Sequence, residues 1–154
     1  MKTDKNLHFN ISHSGAWVVC VTHDNEIGID IEEVKLIDLE IAKFVFSKRE
    51  FQDLMNTKAL RRPECFYELW TLKESFVKAI GKGLSFPFDS FSMKLDSAGW
   101  RPITENNEIY YFRQYDIDIS YRMAVCTKNN NFCEEVKFLT EESLSNLMLS
   151  VYQN

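Results

Sequence analysis

The spacing of apolar and polar positions along the chain predicts its elements. The segment AWVVCVT (16–22) is a β-branched run and predicts a buried strand. The turn residues HDNE follow, then IGIDIEEV (27–34), so the two runs predict a hairpin. In DLEIAKFVF (38–46) the apolar residues fall at helical spacing. Ser47 followed by Glu50 is a capping-box pattern and predicts a new short helix. Pro63 suits the first turn of a long helix over 63–80, where its missing N–H does no harm, and GKG (81–83) ends it. SFSMKL, EIYYFRQYDI and YRMAVCT predict strands, with EEVKFL as a possible further one. TEESLSNLMLSV predicts a closing helix with Thr140 as its cap. Strands and helices come in blocks, which predicts an α+β fold rather than a doubly wound sheet.

Composition narrows the class without naming a chemistry. The 154 residues suit a single domain, 1–154, that buries a core without staples. With 45% hydrophobic and 14% aromatic residues, disorder is excluded as the main state. A net charge of −5 argues against a general nucleic-acid binder. Cys20, Cys65, Cys126 and Cys133 form no C-x-x-C pair, so they read as reduced structural thiols. No apolar run reaches membrane-spanning length and the first residues carry no apolar signal segment, which makes the cytoplasm the expected compartment.

Three segments carry candidate chemistry. Strand alternation puts Asp30 and Glu32 on one face, with Ile29 and Ile31 on the other. Side-by-side carboxylates repel by roughly 0.2–1 kcal/mol. A divalent cation removes that cost, and magnesium favours one or two carboxylates with phosphate oxygens; the bland alternative is an acidic solvent face. On the long helix Trp70, Glu74 and Lys78 form one stripe with Lys73 beside it. A surface ion pair accounts for the charges, but the aromatic on the same stripe suggests a cleft. In FNISHSGAW (9–17), Ser12, His13 and Ser14 precede Gly15, and a turn there would gather donors around an anion. The alternative is a Ser/Gly loop with a surface histidine.

In this order and spacing, FNISHSGAWVVC, IGIDIEEVK and FYELWTLKESFVKAIGKGLS resemble the signature blocks of the surfactin-type 4′-phosphopantetheinyl transferases. The resemblance runs from about Leu7 to SYRMAVC. It implies an antiparallel sheet packed with a long helix, as one half of a pseudo-twofold arrangement. It also implies magnesium-dependent transfer of the phosphopantetheine arm of coenzyme A to a serine of an acyl or peptidyl carrier protein, releasing adenosine 3′,5′-bisphosphate. By the same likeness Asp30, Glu32 and Glu74 hold magnesium and Lys78 stabilises phosphate or leaving-group charge. Ser12 and His13 touch the nucleotide end, and Lys73 contacts the coenzyme. The base for the carrier serine is Glu74, directly or through a water, or else Glu50, for which the capping box is the competing role. Residues 81 to about 112 match the region that meets the carrier, where Lys82, Lys94 and Arg101 are candidates to face an acidic helix.

The chain begins just before the ISHS block, so the upstream half that such enzymes use to cover coenzyme A is expected to be missing. A trimmed chain, a mis-set start codon and a natural short form that self-associates all fit. So does a second class of function, a non-catalytic module that keeps the fold and weak coenzyme A affinity.

Overall fold

The computed structural model describes residues 7–104 and 108–152. Among these described residues, seven strands and four α-helices follow in the order β1 (His8–Ser14), β2 (Trp17–His23), β3 (Ile27–Glu33), α1 (Leu39–Val45), α2 (Lys48–Asn56), α3 (Arg62–Ala79), β4 (Ser92–Asp96), β5 (Gly99–Ile103), β6 (Tyr111–Gln114), β7 (Tyr121–Thr127) and α4 (Glu141–Tyr152). The fold is α+β and every strand pairing is antiparallel.

The central sheet has the order β3-β7-β6, and α3 lies across one face of it. Gly28, Asp30 and Glu32 stand opposite Cys126, Ala124 and Arg122 on the α3 side. There Leu72, Phe76, Val77 and Ala79 of the helix pack with Ala124 and Cys126. On the other face Ile27, Ile29, Ile31, Met123 and Val125 form a second core, covered by Trp17, Val19 and Val21 of β2. A half-sheet apolar on both faces is why β3 reads as a near-continuous buried run despite its two acids.

The predicted hairpin of the second and third strands does not form. β2 pairs with β1 through the tight turn at Gly15, whose φ is +53°, while β3 pairs with β7, almost a hundred positions away in the chain. Nor is β2 buried on both sides: its residues alternate, and Val18 is 76% exposed. The expected anion-binding turn over 12–14 is a strand, β1.

Local signals hold where they are local. Asp38 caps α1 by accepting from Glu40 N. The Ser47–Glu50 box makes both of its reciprocal bonds, and Pro63 sits in the first turn of α3. Gly81 follows α3 with φ +68°. Thr140 Oγ1 accepts from Ser143 N at the start of α4. EEVKFL forms no strand; Phe138 instead meets the edge of Trp17, 5.6 Å between centroids. β5 is an element the sequence reading passes over. Pro102 cannot donate to a ladder, yet it is tolerated because β4–β5 is a two-stranded sheet with open edges.

Candidate active site

The site begins with a missing side chain. A Cβ on Gly28 would overlap the carbonyl oxygen of Ser75 and come within 2.5 Å of Ala79 N and 2.9 Å of Lys78 Cβ. Glycine therefore lets α3 lie directly on β3. That approach delivers Lys78 to Asp30, two residues along the strand: Nζ is 2.7 Å from Asp30 Oδ1. The other two ammonium protons go to Ile29 O (3.0 Å) and Ser12 Oγ (3.1 Å). Ser12 in turn donates to Asp30 Oδ1 at 2.9 Å, and Ser14 donates to Glu32 Oε2 at 2.9 Å.

Charge at this place is unbalanced. Asp30 is 3% exposed, and its Oδ2 is buried with no hydrogen-bond partner. Burial pushes its carboxyl up to about 7, the Lys78 ammonium opposes the rise, and Glu74 and Glu32 add to it. Glu74 is likewise raised by burial, against Lys78 and with Glu32. Three carboxylates thus act on one another beside a single ammonium. An acceptor-only group stripped of water and left with a free oxygen is costly unless something positive fills the gap. Hard carboxylate oxygens of this kind suit a divalent cation such as magnesium. As they stand, among the described residues, no three His, Cys, Asp or Glu side chains are placed to grip a metal; the ammonium of Lys78 is the positive charge in contact with Asp30.

Other predicted site residues lie elsewhere. Lys73 is 0% exposed, and its Nζ donates to Glu50 Oε2 and to Phe91 O, both at 2.7 Å, with the Phe91 ring 4.3 Å from the charge. Glu50 also accepts from Ser47 N at Oε2 (2.8 Å) and from Met93 N at Oε1 (2.7 Å). Lys73, expected to contact the coenzyme, and Glu50, expected as a candidate base, instead face each other as a closed internal pair with side-chain exposures of 0% and 5%. Trp70, expected to wall a cleft with Glu74, is instead sandwiched between Phe66 and Phe88, with interplanar angles of 7° and 13°. His13 faces outward opposite Val18, away from Ser12, because neighbouring strand residues point to opposite faces. Lys82, Lys94 and Arg101 are exposed; Lys82 stands over Phe86, and Arg101 is tied to Asp96 at 2.7 Å.

What the sequence reading missed is the pairing of Ser12 and Ser14 with the acids. The signal was present in N-I-S-H-S, a period-2 polar pattern of the same length as G-I-D-I-E.

A close helix-to-strand contact at Gly28, with acids and a lysine converging beside it, marks the centre of this α+β fold. The chain belongs to the 4′-phosphopantetheinyl transferase superfamily, whose family description matches residues 26–126. Among its relatives, 4′-phosphopantetheinyl transferase Sfp of Bacillus subtilis (strain 168) is 46% identical over 139 residues, covering 89% of this chain and 62% of that protein. 4′-Phosphopantetheinyl transferase psf-1 of Bacillus pumilus is 42% identical over 140 residues, covering 90% of this chain and 60% of that protein. The chain therefore spans about three fifths of the length of these relatives. A similar fold is seen in a holo-(acyl-carrier-protein) synthase from Bacillus anthracis str. Ames, solved in complex with CoA (3′,5′-ADP), with a TM-score of 0.55 and 24% identity over 66% of this chain and 92% of that one. Among the described residues no helix is long and apolar enough to cross a membrane.

Proposed function

We propose that this chain transfers 4′-phosphopantetheine from coenzyme A to a serine hydroxyl of an apo acyl or peptidyl carrier protein. The observation that carries the reading is the buried, half-satisfied Asp30 carboxylate beside Glu74, Glu32 and Lys78, within the span that matches the family. In the reaction the serine oxygen forms a bond to the phosphorus that bears pantetheine. The bond from that phosphorus to the adenosine 3′,5′-bisphosphate oxygen breaks, and the serine proton leaves to a base.

Asp30, Glu32 and Glu74 would hold magnesium, which supplies positive charge for the diphosphate. Phosphoryl transfer asks mainly for positioning and charge stabilisation, so the remaining tasks fall to this chain's own side chains. In this reading Glu74, whose carboxyl is raised by burial, accepts the serine proton. Lys78 carries an ammonium to the leaving oxygen when released from Asp30. Neither role falls to Glu50 or Lys73, which are consumed by each other.

The outward face of β1–β2 bears Phe9 (66% exposed), Ile11 (52%) and Val18 (76%). A patch of this kind recruits a partner surface. A second copy of the chain meeting it as a twofold dimer is the form we propose, with light scattering over a concentration series as its test. The cytoplasm is the compartment that fits free thiols at Cys20 and Cys133.

Intact-mass measurement of an apo-carrier after incubation with coenzyme A and magnesium tests the transferase reading. A gain of one phosphopantetheine is expected, and Glu74→Gln should abolish it with the fold intact. Coenzyme A binding without any transfer would replace the enzyme by a binding module.

A further inference from the structure

β1 and β3 belong to different sheets, yet β1 closes the open edge of β3 with side chains instead of backbone. Ile29 N donates to Asn10 Oδ1 (3.1 Å), Ile31 N to Ser12 Oγ (3.4 Å) and Glu33 N to Ser14 Oγ (3.1 Å). Three consecutive outward amides of a buried strand thereby find acceptors that no neighbouring strand supplies. The two serines then spend their hydroxyl protons in the same way. Ser12 donates to Asp30 Oδ1 and Ser14 to Glu32 Oε2, each at 2.9 Å. The unit repeats with a fixed offset: each serine accepts from an amide 19 residues on and donates to the carboxylate 18 residues on. At the Asn10 repeat the carboxylate position is Gly28, so only the amide is served.

The direction of these bonds is forced. A serine hydroxyl has one proton and two lone pairs. At Ser12 both lone pairs face donors, Ile31 N and the Lys78 ammonium, so the proton has one remaining acceptor, Asp30 Oδ1. At Ser14 the amide of Glu33 takes one lone pair and turns the proton toward Glu32. A carboxylate otherwise swings broadly about its last torsion. Holding one oxygen of each acid fixes where the other points, and at Asp30 that other oxygen is the buried one without a partner.

We propose that Ser12 and Ser14 are positioning residues for a divalent-cation site: a side-chain ladder on β1 that clamps one oxygen of Asp30 and one of Glu32 and presents the others. The proposal rests on the transferase reading, in which those acids hold magnesium. Ser14 is the cleaner probe, because Ser12 also carries Lys78. Mn2+ binding to the full chain, without coenzyme A, is read by electron paramagnetic resonance for the parent, Ser14→Ala, Ser14→Thr and Asn10→Ala, with the melting temperature of each. Ser14→Ala should loosen Mn2+ by about tenfold, the lower end of what loss of a ligand's hydrogen-bond partner costs. Ser14→Thr keeps the hydroxyl and should restore the parent affinity. Asn10→Ala removes an amide acceptor from the same edge but serves no carboxylate, so it should lower the melting temperature and leave Mn2+ affinity unchanged. Parent-like affinity in Ser14→Ala, or an equal loss in Asn10→Ala, overturns the ladder as a positioning device while leaving the transferase reading standing. A parent chain that binds no Mn2+ and transfers without magnesium overturns the cation site itself, and the ladder's role with it.

Discussion

Two lysines five residues apart on α3 each reach a buried carboxylate at 2.7 Å, and the two pairs could hardly differ more in what they do. Lys73–Glu50 is sealed, at 0% and 5% side-chain exposure, and both carboxylate oxygens have partners. It ties the start of α2, the middle of α3 and the start of β4 into one knot. Lys78–Asp30 is open on the lysine side, at 26% exposure, with one carboxylate oxygen unmatched and two further acids acting on it. Proximity of opposite charges is thus no sign of function. The Lys73–Glu50 pair has a completed set of hydrogen bonds, and the Lys78–Asp30 pair has an incomplete one with surplus like charge, the difference on which the proposed function rests.

That contrast breaks first under charge removal. Lys73→Met leaves Glu50 buried without its cation and should cost about 3–5 kcal/mol of stability in chemical unfolding, with transfer per folded molecule little changed. Glu50→Gln in the same chain should recover part of the loss, since a neutral pair no longer strands a charge. Asp30→Asn should do the opposite: a chain as stable as the parent whose carrier modification falls by about 10³-fold, equivalent to about 4 kcal/mol of barrier. Swapped outcomes would mean the two pairs have been assigned the wrong way round.

A subtler difference lies in pH. Asp30 sits at about 7 in the fold against 3.8 for a free side chain, with Lys78, Glu74 and Glu32 as its charged neighbours. Between those values the folded chain keeps a proton that the unfolded chain has released. Its contribution is most favourable at the acid end and is lost as pH rises through about 7. Metal-free melting curves should show stability falling from pH 5 to pH 8 in the parent by more than in Asp30→Asn. Equal slopes would show that burial does not hold the Asp30 proton. The smallest effect belongs to the outward strand face: His13→Ala should raise the KM for coenzyme A a few-fold at most and leave kcat intact, whereas Lys78→Ala should lower kcat more than it weakens binding.

Much of this was legible before any coordinates, and the division follows distance along the chain. The capping box at Ser47, Pro63 in the first turn of α3 and Gly81 after it are decided by neighbours, and they stand. The shared face of Asp30 and Glu32, and the stripe of Glu74 and Lys78, follow from periodicity alone. Strand partnership does not: HDNE predicts a hairpin turn, yet β3 pairs with β7, while β2 pairs with β1 and covers the isoleucine face of β3 with Trp17, Val19 and Val21. Nor does periodicity reveal which charged residue is sealed. Lys73 and Glu74 are adjacent, and only the packing of Phe46 and Phe91 around Lys73 turns one inward to a partner and the other toward the acids.

The central claim is that the unfinished pair, not the finished one, is where coenzyme chemistry occurs. Crystals grown with coenzyme A and Mn2+ and measured at the manganese absorption edge test it most directly. The account predicts an anomalous peak bonded to carboxylate oxygens of Asp30, Glu32 and Glu74, with the Lys73–Glu50 bond unchanged. A peak beside Glu50, or coenzyme A bound with no metal on Asp30, would contradict it.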